Sequence, residues 1–106
     1  MTDKALAVEV DDDCIVHSFS EDAKEMAVGR CTLRLSPNFI RVEYIDELGE
    51  VIYVGKAVGD GHFDLICKER NGAATLHRAP NDLATYEGFW NEDGSRGTWR
   101  IMRSDL

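Results

Sequence analysis

The sequence predicts an all-β, mainly antiparallel protein: a small up-and-down meander barrel or strongly curved sheet of seven to nine strands, with one short N-terminal helix near 19–27. Three observations predict it. Turn signals recur at short intervals, at Pro37-Asn38, residues 46–49, Gly59-Asp60-Gly61, Asn71-Gly72 and Asp93-Gly94. Between them apolar and polar residues alternate with the period of two that a half-buried strand requires. No helical period is long enough to supply the crossover of a βαβ unit. A long meander of twisted strands tends to close, because closure removes both sheet edges.

Residues 5–10, ALAVEV, read as a first strand stopped by a solvated turn at Asp11-Asp12-Asp13, with Cys14 to His17 as a short second strand. Ser18-Phe19-Ser20-Glu21 fits a capping box, acids follow in the first turn, and Gly29 suits the position just past a helix end. These residues predict the helix near 19–27. The rival reading is a strand running straight into residues 28–35 with a bulge at Gly29.

From Val28 onward the chain reads as one meander. A two-residue turn at Pro37-Asn38 sets Leu35 against Ile40, Leu33 against Val42 and Cys31 against Tyr44. It also sets Arg34 against Arg41 on the outside. A three-residue loop closed by Gly49 then sets Tyr44 against Ile52 and Val42 against Val54. That register leaves Phe39, Ile45, Val51 and Tyr53 as an outer apolar row. It needs a bulge at Gly55 to turn Lys56 outward and Ala57 inward. A type I′ turn at Asn71-Gly72 sets Cys67 against Leu76 and Glu69 against Ala74. Residues 80–83 make a longer connection containing one helical turn.

The last hairpin, Tyr86 to Arg103, holds both tryptophans. Asp93-Gly94 suits a type I′ turn, whose two central residues both need positive φ. The register follows: Trp90 faces Gly97, Gly88 faces Trp99, Glu87 faces Arg100 and Tyr86 faces Ile101. Each indole then lies opposite a glycine and has room to lie flat across the ladder. A one-residue slip would destroy the apolar face and the Glu87–Arg100 pair together. Within this hairpin, Gly97-Thr98-Trp99-Arg100 resembles the G-x-W element of the calycins, which comprise the lipocalins, fatty-acid-binding proteins and avidins. The resemblance implies a meander barrel that binds a small, mostly apolar molecule. In lipocalins the element lies on the first strand and here it lies on the last, so no calycin ligand-binding residue carries over.

At 106 residues the chain suits a single domain, 1–106, able to bury its own core. The net charge is −8, and residues 1–25 carry most of it, with eight acids against Lys4 and Lys24. Such an acidic chain disfavours nucleic acid and anionic membrane as partners. No apolar run is long enough for a membrane helix, and the N-terminus lacks the pattern of a signal peptide. Three cysteines without a C-x-x-C pair suggest reduced thiols and a cytoplasmic protein.

No nucleophile elbow, phosphate-binding loop, dinucleotide fingerprint or H-E-x-x-H motif is present. No cofactor and no metal site is expected. Asp60-x-His62-x-Asp64 places three polar side chains on one face, but a turn followed by an outward strand face explains it. What remains is an inward aromatic set. Tyr44, Phe63, Tyr86, Trp90 and Trp99, with Arg78 as a polar anchor, are the candidate ligand-binding residues. The preferred reading is a non-catalytic module that binds a small apolar or aromatic ligand in an aromatic-lined barrel. The alternative is a structural or interaction protein that self-associates through a sheet edge or the outer apolar row. The third is a small enzyme with Asp/His groups at the barrel mouth. A homodimer fits the first two.

Trp99→Ala is expected to cost about 3–5 kcal/mol of stability, since it removes a large buried side chain. Chemical denaturation measures this, and an unchanged midpoint would remove Trp99 from the core.

Overall fold

In the computed structural model, which describes residues 8–104, eight strands follow one another around a closed antiparallel barrel. They are β1 (Glu9–Ser20), β2 (Glu25–Ser36), β3 (Phe39–Asp46), β4 (Gly49–Gly59), β5 (His62–Cys67), β6 (Gly72–Ala79), β7 (Asp82–Glu92) and β8 (Ser95–Met102). Each strand pairs with the next. The ring closes where β1 pairs with β8, from Ile15 opposite Met102 to Ser20 opposite Gly97. No described helix is long and apolar enough to cross a membrane.

Alternation places one side of every strand in the interior. Leu33, Ile40, Val42, Val51, Leu65 and Ile101 are all at most 1% exposed and fill the middle of the barrel. Cys14, Cys31 and Cys67 are buried among them. An eight-stranded barrel is just wide enough for side chains to fill. Here they do, so the free space lies at the two ends.

The hairpin at Asp93-Gly94 has the expected register at every pair, from Glu92–Ser95 to Tyr86–Ile101. Asp93 and Gly94 both have positive φ, 51° and 92°. The β2–β3 pairs Leu35–Ile40 and Leu33–Val42 also stand as expected. The outward Arg34–Arg41 pair is reconciled by Glu43, whose Oε2 lies 3.1 Å from Arg34 Nε and 2.5 Å from Arg41 Nε.

Several expectations are corrected. The helix near 19–27 is absent: β1 runs to Ser20 and β2 starts at Glu25. A tight turn joins them, in which the Lys24 N–H donates to the Ser20 carbonyl (2.8 Å) and Ser20 Oγ accepts from the Ala23 N–H (3.3 Å). The capping-box serine was Ser18, but Ser20 makes the local bond, and it closes a turn between strands. Gly29 sits in β2 opposite Val16 without a bulge. The Asp11–Asp13 run is no turn; it lies within β1, where the register shifts between Asp11 and Cys14. Residues 5–7 of the expected first strand lie outside the described residues. Pro80 and Asn81 form a two-residue turn between the paired Ala79 and Asp82, in place of a helical turn.

Two hairpins slip. The β3–β4 loop holds only Glu47 and Leu48, because Asp46 pairs with Gly49. Tyr44 therefore faces Val51 and Val42 faces Tyr53. This odd shift turns Val51 and Tyr53 inward, where both are fully buried, and breaks up the outer apolar row. Lys56 faces out and Ala57 in without any bulge at Gly55; the register shift in β4 comes later, between Ala57 and Gly59. The β5–β6 loop is longer than expected: Lys68–Arg70 forms a 3-10 turn ending at Asn71 in the left-handed region. Cys67 now faces Gly72. That shift is even, so every inward residue stays inward.

Two glycines let the backbones close up. A Cβ on Gly88 would stand 1.8 Å from the Thr75 carbonyl oxygen, and one on Gly97 would stand 1.8 Å from the Phe19 carbonyl oxygen. Gly88→Ala is expected to destabilise the protein by more than about 2 kcal/mol, because the clash is with backbone. Gly29→Ala is expected to stay within about 0.5 kcal/mol of the parent, since its new methyl meets only Val16 Cγ1 at 4.0 Å. Equal denaturation midpoints for the two variants would refute this placement of β7.

Candidate ligand-binding site

The six sequence-predicted site residues do not form one group. The filled middle divides them between the two ends. Phe63, Tyr86 and Arg78 stand at one end, in a cavity of about 490 Å³. Tyr44, Trp90 and Trp99 stand at the other, in a cavity of about 450 Å³. Arg78 faces Tyr86 across β6–β7 and is exposed.

At the Phe63 end, the rings of Phe63 and Tyr86 tilt against each other at 6.3 Å. The polar groups here tie the first strand to the end of the last. Asp11, a buried carboxylate, accepts from the Ser104 N–H (2.8 Å) and Ser104 Oγ–H (2.6 Å). Arg103 reaches Glu9 at 3.0 Å and Asp11 at 3.9 Å.

The tryptophan end is built differently. Pairing between β6 and β7 skips the stretch where Thr75-Leu76 passes Gly88-Phe89. The missing side chain at Gly88 admits the Thr75 carbonyl, which accepts the Trp99 indole N–H at 3.0 Å. The Trp90 indole lies over Gly97 and donates to the Thr98 carbonyl at 3.1 Å. Tyr53 meets Trp99 edge to face at 5.2 Å and donates its hydroxyl proton to Glu92 Oε2 at 2.6 Å. Three of the four aromatic residues thus have their polar atoms occupied by protein partners, and what they offer the cavity is ring surface.

Around this end the turns are clamped together. Arg70, from the 3-10 turn, makes a two-pronged contact with Asp46 (2.8 and 3.0 Å) in the β3–β4 turn. Its Nη1 also lies 3.9 Å from Glu92 Oε1. The Arg70 hydrogen bonds hold the Asp46 carboxyl below its usual range. Burial, then the charge of Glu92, pushes the Tyr44 phenol well above its ordinary value. The same burial, with the hydrogen bond to Glu92, does so for Tyr53. Both phenols therefore stay neutral at physiological pH.

Sequence reasoning missed Tyr53, Glu92, Asp46 and Arg70. Tyr53 had a readable signal: the assumed register would have buried Lys56, and that conflict pointed to a one-residue slip. Glu92 had a weaker one, since its position in β7 shares the parity of Trp90. Arg70 had none, because its reach depends on the loop conformation.

Other candidate chemistry is not assembled here. His62 stacks on His77 at 5.6 Å on the outer wall. Among the described residues no group of three His, Cys, Asp or Glu side chains is placed to hold a metal ion. Cys14 and Cys31 face each other across β1–β2 inside the barrel. The hydrogen bond to Cys14, and then burial, pushes the Cys31 thiol up, away from the nucleophilic thiolate. Against known protein families and curated proteins, the chain matches no family model and no curated sequence.

The lowered Asp46 carboxyl makes its contact with Arg70 pH-dependent. Its stabilisation is present above the carboxyl's unfolded value and is lost as pH falls through the folded one. Asp46→Asn is expected to cost about 0.5–1 kcal/mol near neutral pH, as a partly exposed pair should, and progressively less as the pH falls below the ordinary aspartate range. Denaturation of parent and variant across that range measures it; a gap that widens in acid would refute the assignment.

Proposed function

We propose that the protein is a non-catalytic module that binds a small organic ligand at the tryptophan end of the barrel. One observation carries this reading. The cavity of about 450 Å³ is walled by Tyr44, Tyr53, Trp90 and Trp99, and the indole N–H groups and the Tyr53 hydroxyl are already satisfied internally. Ligand pockets are typically concave and mostly apolar, with a few placed polar groups, and barrel mouths are a common location for them. The Glu92 carboxylate and the serines at positions 18 and 20 supply such polar groups here. The calycin resemblance at Gly97–Arg100 is consistent with this end being the ligand end, since Trp99 is one of its walls.

The reading favours binding over catalysis for a chemical reason. The partly buried Glu92 carboxylate at this end is already engaged by Tyr53. The Phe63 end supports the reading less well, because its charged groups tie the termini of the barrel together.

Both tryptophans line the cavity, so intrinsic fluorescence reports on occupancy directly. A panel of small aromatic and apolar compounds is expected to include members that shift or quench the emission saturably. Trp90→Phe is expected to weaken their binding several-fold, about 1 kcal/mol for one aromatic contact. An emission spectrum unmoved by every compound would refute the assignment.

A further inference from the structure

We propose that the ligand of the tryptophan end is a small organic cation: an ammonium group on a compact apolar or aromatic body. This rests on the binding reading above and sharpens it to a chemical class.

The charge lining the cavity is one-sided. Among the described residues, Glu25, Asp46, Glu47 and Glu92 stand around it, and no lysine or arginine does. Arg70, which reaches toward these carboxylates, is engaged by Asp46 through two hydrogen bonds. Even with Arg70 counted, the balance among the described residues is three negative charges. The opposite end gives the contrast within one molecule. Glu9, Asp60 and the buried Asp11 there are set against Arg78 and Arg103, so among the described residues the stronger negative balance lies at the tryptophan end.

The aromatic walls point the same way. Ring faces carry negative electrostatic potential and attract ammonium groups, most strongly when the site is shielded from water. With the indole N–H groups turned into backbone carbonyls and the Tyr53 hydroxyl on Glu92, Trp90, Trp99 and Tyr53 offer no free donor to an anionic ligand. The Glu92 carboxylate sits at the cavity with 23% of its side chain exposed. Its Oε2 takes the Tyr53 proton, while its Oε1 has Arg70 only at 3.9 Å, beyond hydrogen-bond reach. Oε1 therefore keeps acceptor capacity for an ammonium N–H. The upward push that Glu92 gives both tyrosine phenols reflects the same local negative field.

Three near-isosteres separate this inference from the reading beneath it: 2-phenylethylammonium, 2-phenylethanol and phenylacetate. Each is titrated into the full chain at neutral pH and low salt, following the two indole N–H signals by nitrogen–proton correlation NMR. The ammonium compound is expected to bind at least about tenfold more tightly than the alcohol, and phenylacetate most weakly. Raising salt from about 20 mM to about 500 mM is expected to shrink the ammonium's advantage. Glu92→Gln is expected to reduce it to about threefold or less, with the dispersed indole signals confirming the fold. Equal binding of alcohol and ammonium would overturn the cation assignment and leave the binding site standing. Indole signals unmoved by all three compounds would overturn both. If Glu92→Gln fails to fold, the salt dependence decides, and an advantage independent of salt counts against the cation.

Discussion

The closure of β1 against β8 is the constraint on which the rest of the molecule depends. Six residue pairs form the seam, and at its end Gly97 stands beside Ser20 with the Phe19 carbonyl pressed against it. Any side chain at residue 97 would hold the last strand away from the first. Closure removes the unpaired edges that would otherwise recruit another chain. It also brings Val16, Ser18 and Ser20 of the first strand round to face Trp90 and Trp99 of the last two. The candidate site is therefore a product of ring closure and belongs to no single hairpin. Closure at eight strands fixes the bore as well. The middle is filled by branched aliphatic side chains, so open space is confined to the ends.

How much of this was legible in the sequence depends on turn chemistry. Asp93-Gly94 matches a two-residue turn that needs two positive φ values, and few other loops would use that pair, so the register of the last hairpin was readable pair by pair. Asn71-Gly72 looks similar but serves differently: Asn71 ends a 3-10 turn and Gly72 begins the next strand. The slip it caused was even, and an even slip moves partners along the strand without exchanging its faces. The loop at 46–49 was misjudged by one residue, and an odd slip exchanges the faces of a strand. That single error placed Tyr53 outside when it is one of the most deeply buried rings in the barrel. The helix expected near 19–27 failed for another reason. Its capping and composition signals are local, whereas the pairing of Ser18–Ser20 with both β2 and β8 is not, and tertiary pairing overrides local propensity.

The candidate site was half legible. Parity placed the five aromatic residues inward, and all five point inward. Parity carries no information about depth along the barrel axis, so the sequence could not separate the Phe63–Tyr86 end from the tryptophan end. The polar partners were less accessible still. Glu92 and Tyr53 lie 39 residues apart, and Arg70 reaches Asp46 only because the 3-10 turn holds its side chain over the neighbouring loop. Such contacts arise from the closed ring and the loop conformations, and neither spacing nor composition encodes them visibly.

The two ends spend their polar groups in opposite ways, and this argues for where function lies. At the Phe63 end, a buried aspartate is hydrogen-bonded by the chain just beyond β8, and the neighbouring arginine pairs with β1. Those bonds hold the seam, and loosening them for a ligand would weaken the closure on which the barrel depends. At the tryptophan end, the polar atoms of Tyr53, Trp90 and Trp99 are bonded to a carboxylate and to strand carbonyls. The proposed ligand would meet ring faces and carboxylate lone pairs there without having to break these hydrogen bonds. Preorganisation of that kind reduces the cost of binding. The end that is structurally finished with its cavity empty is thus the better suited to the ligand proposed above.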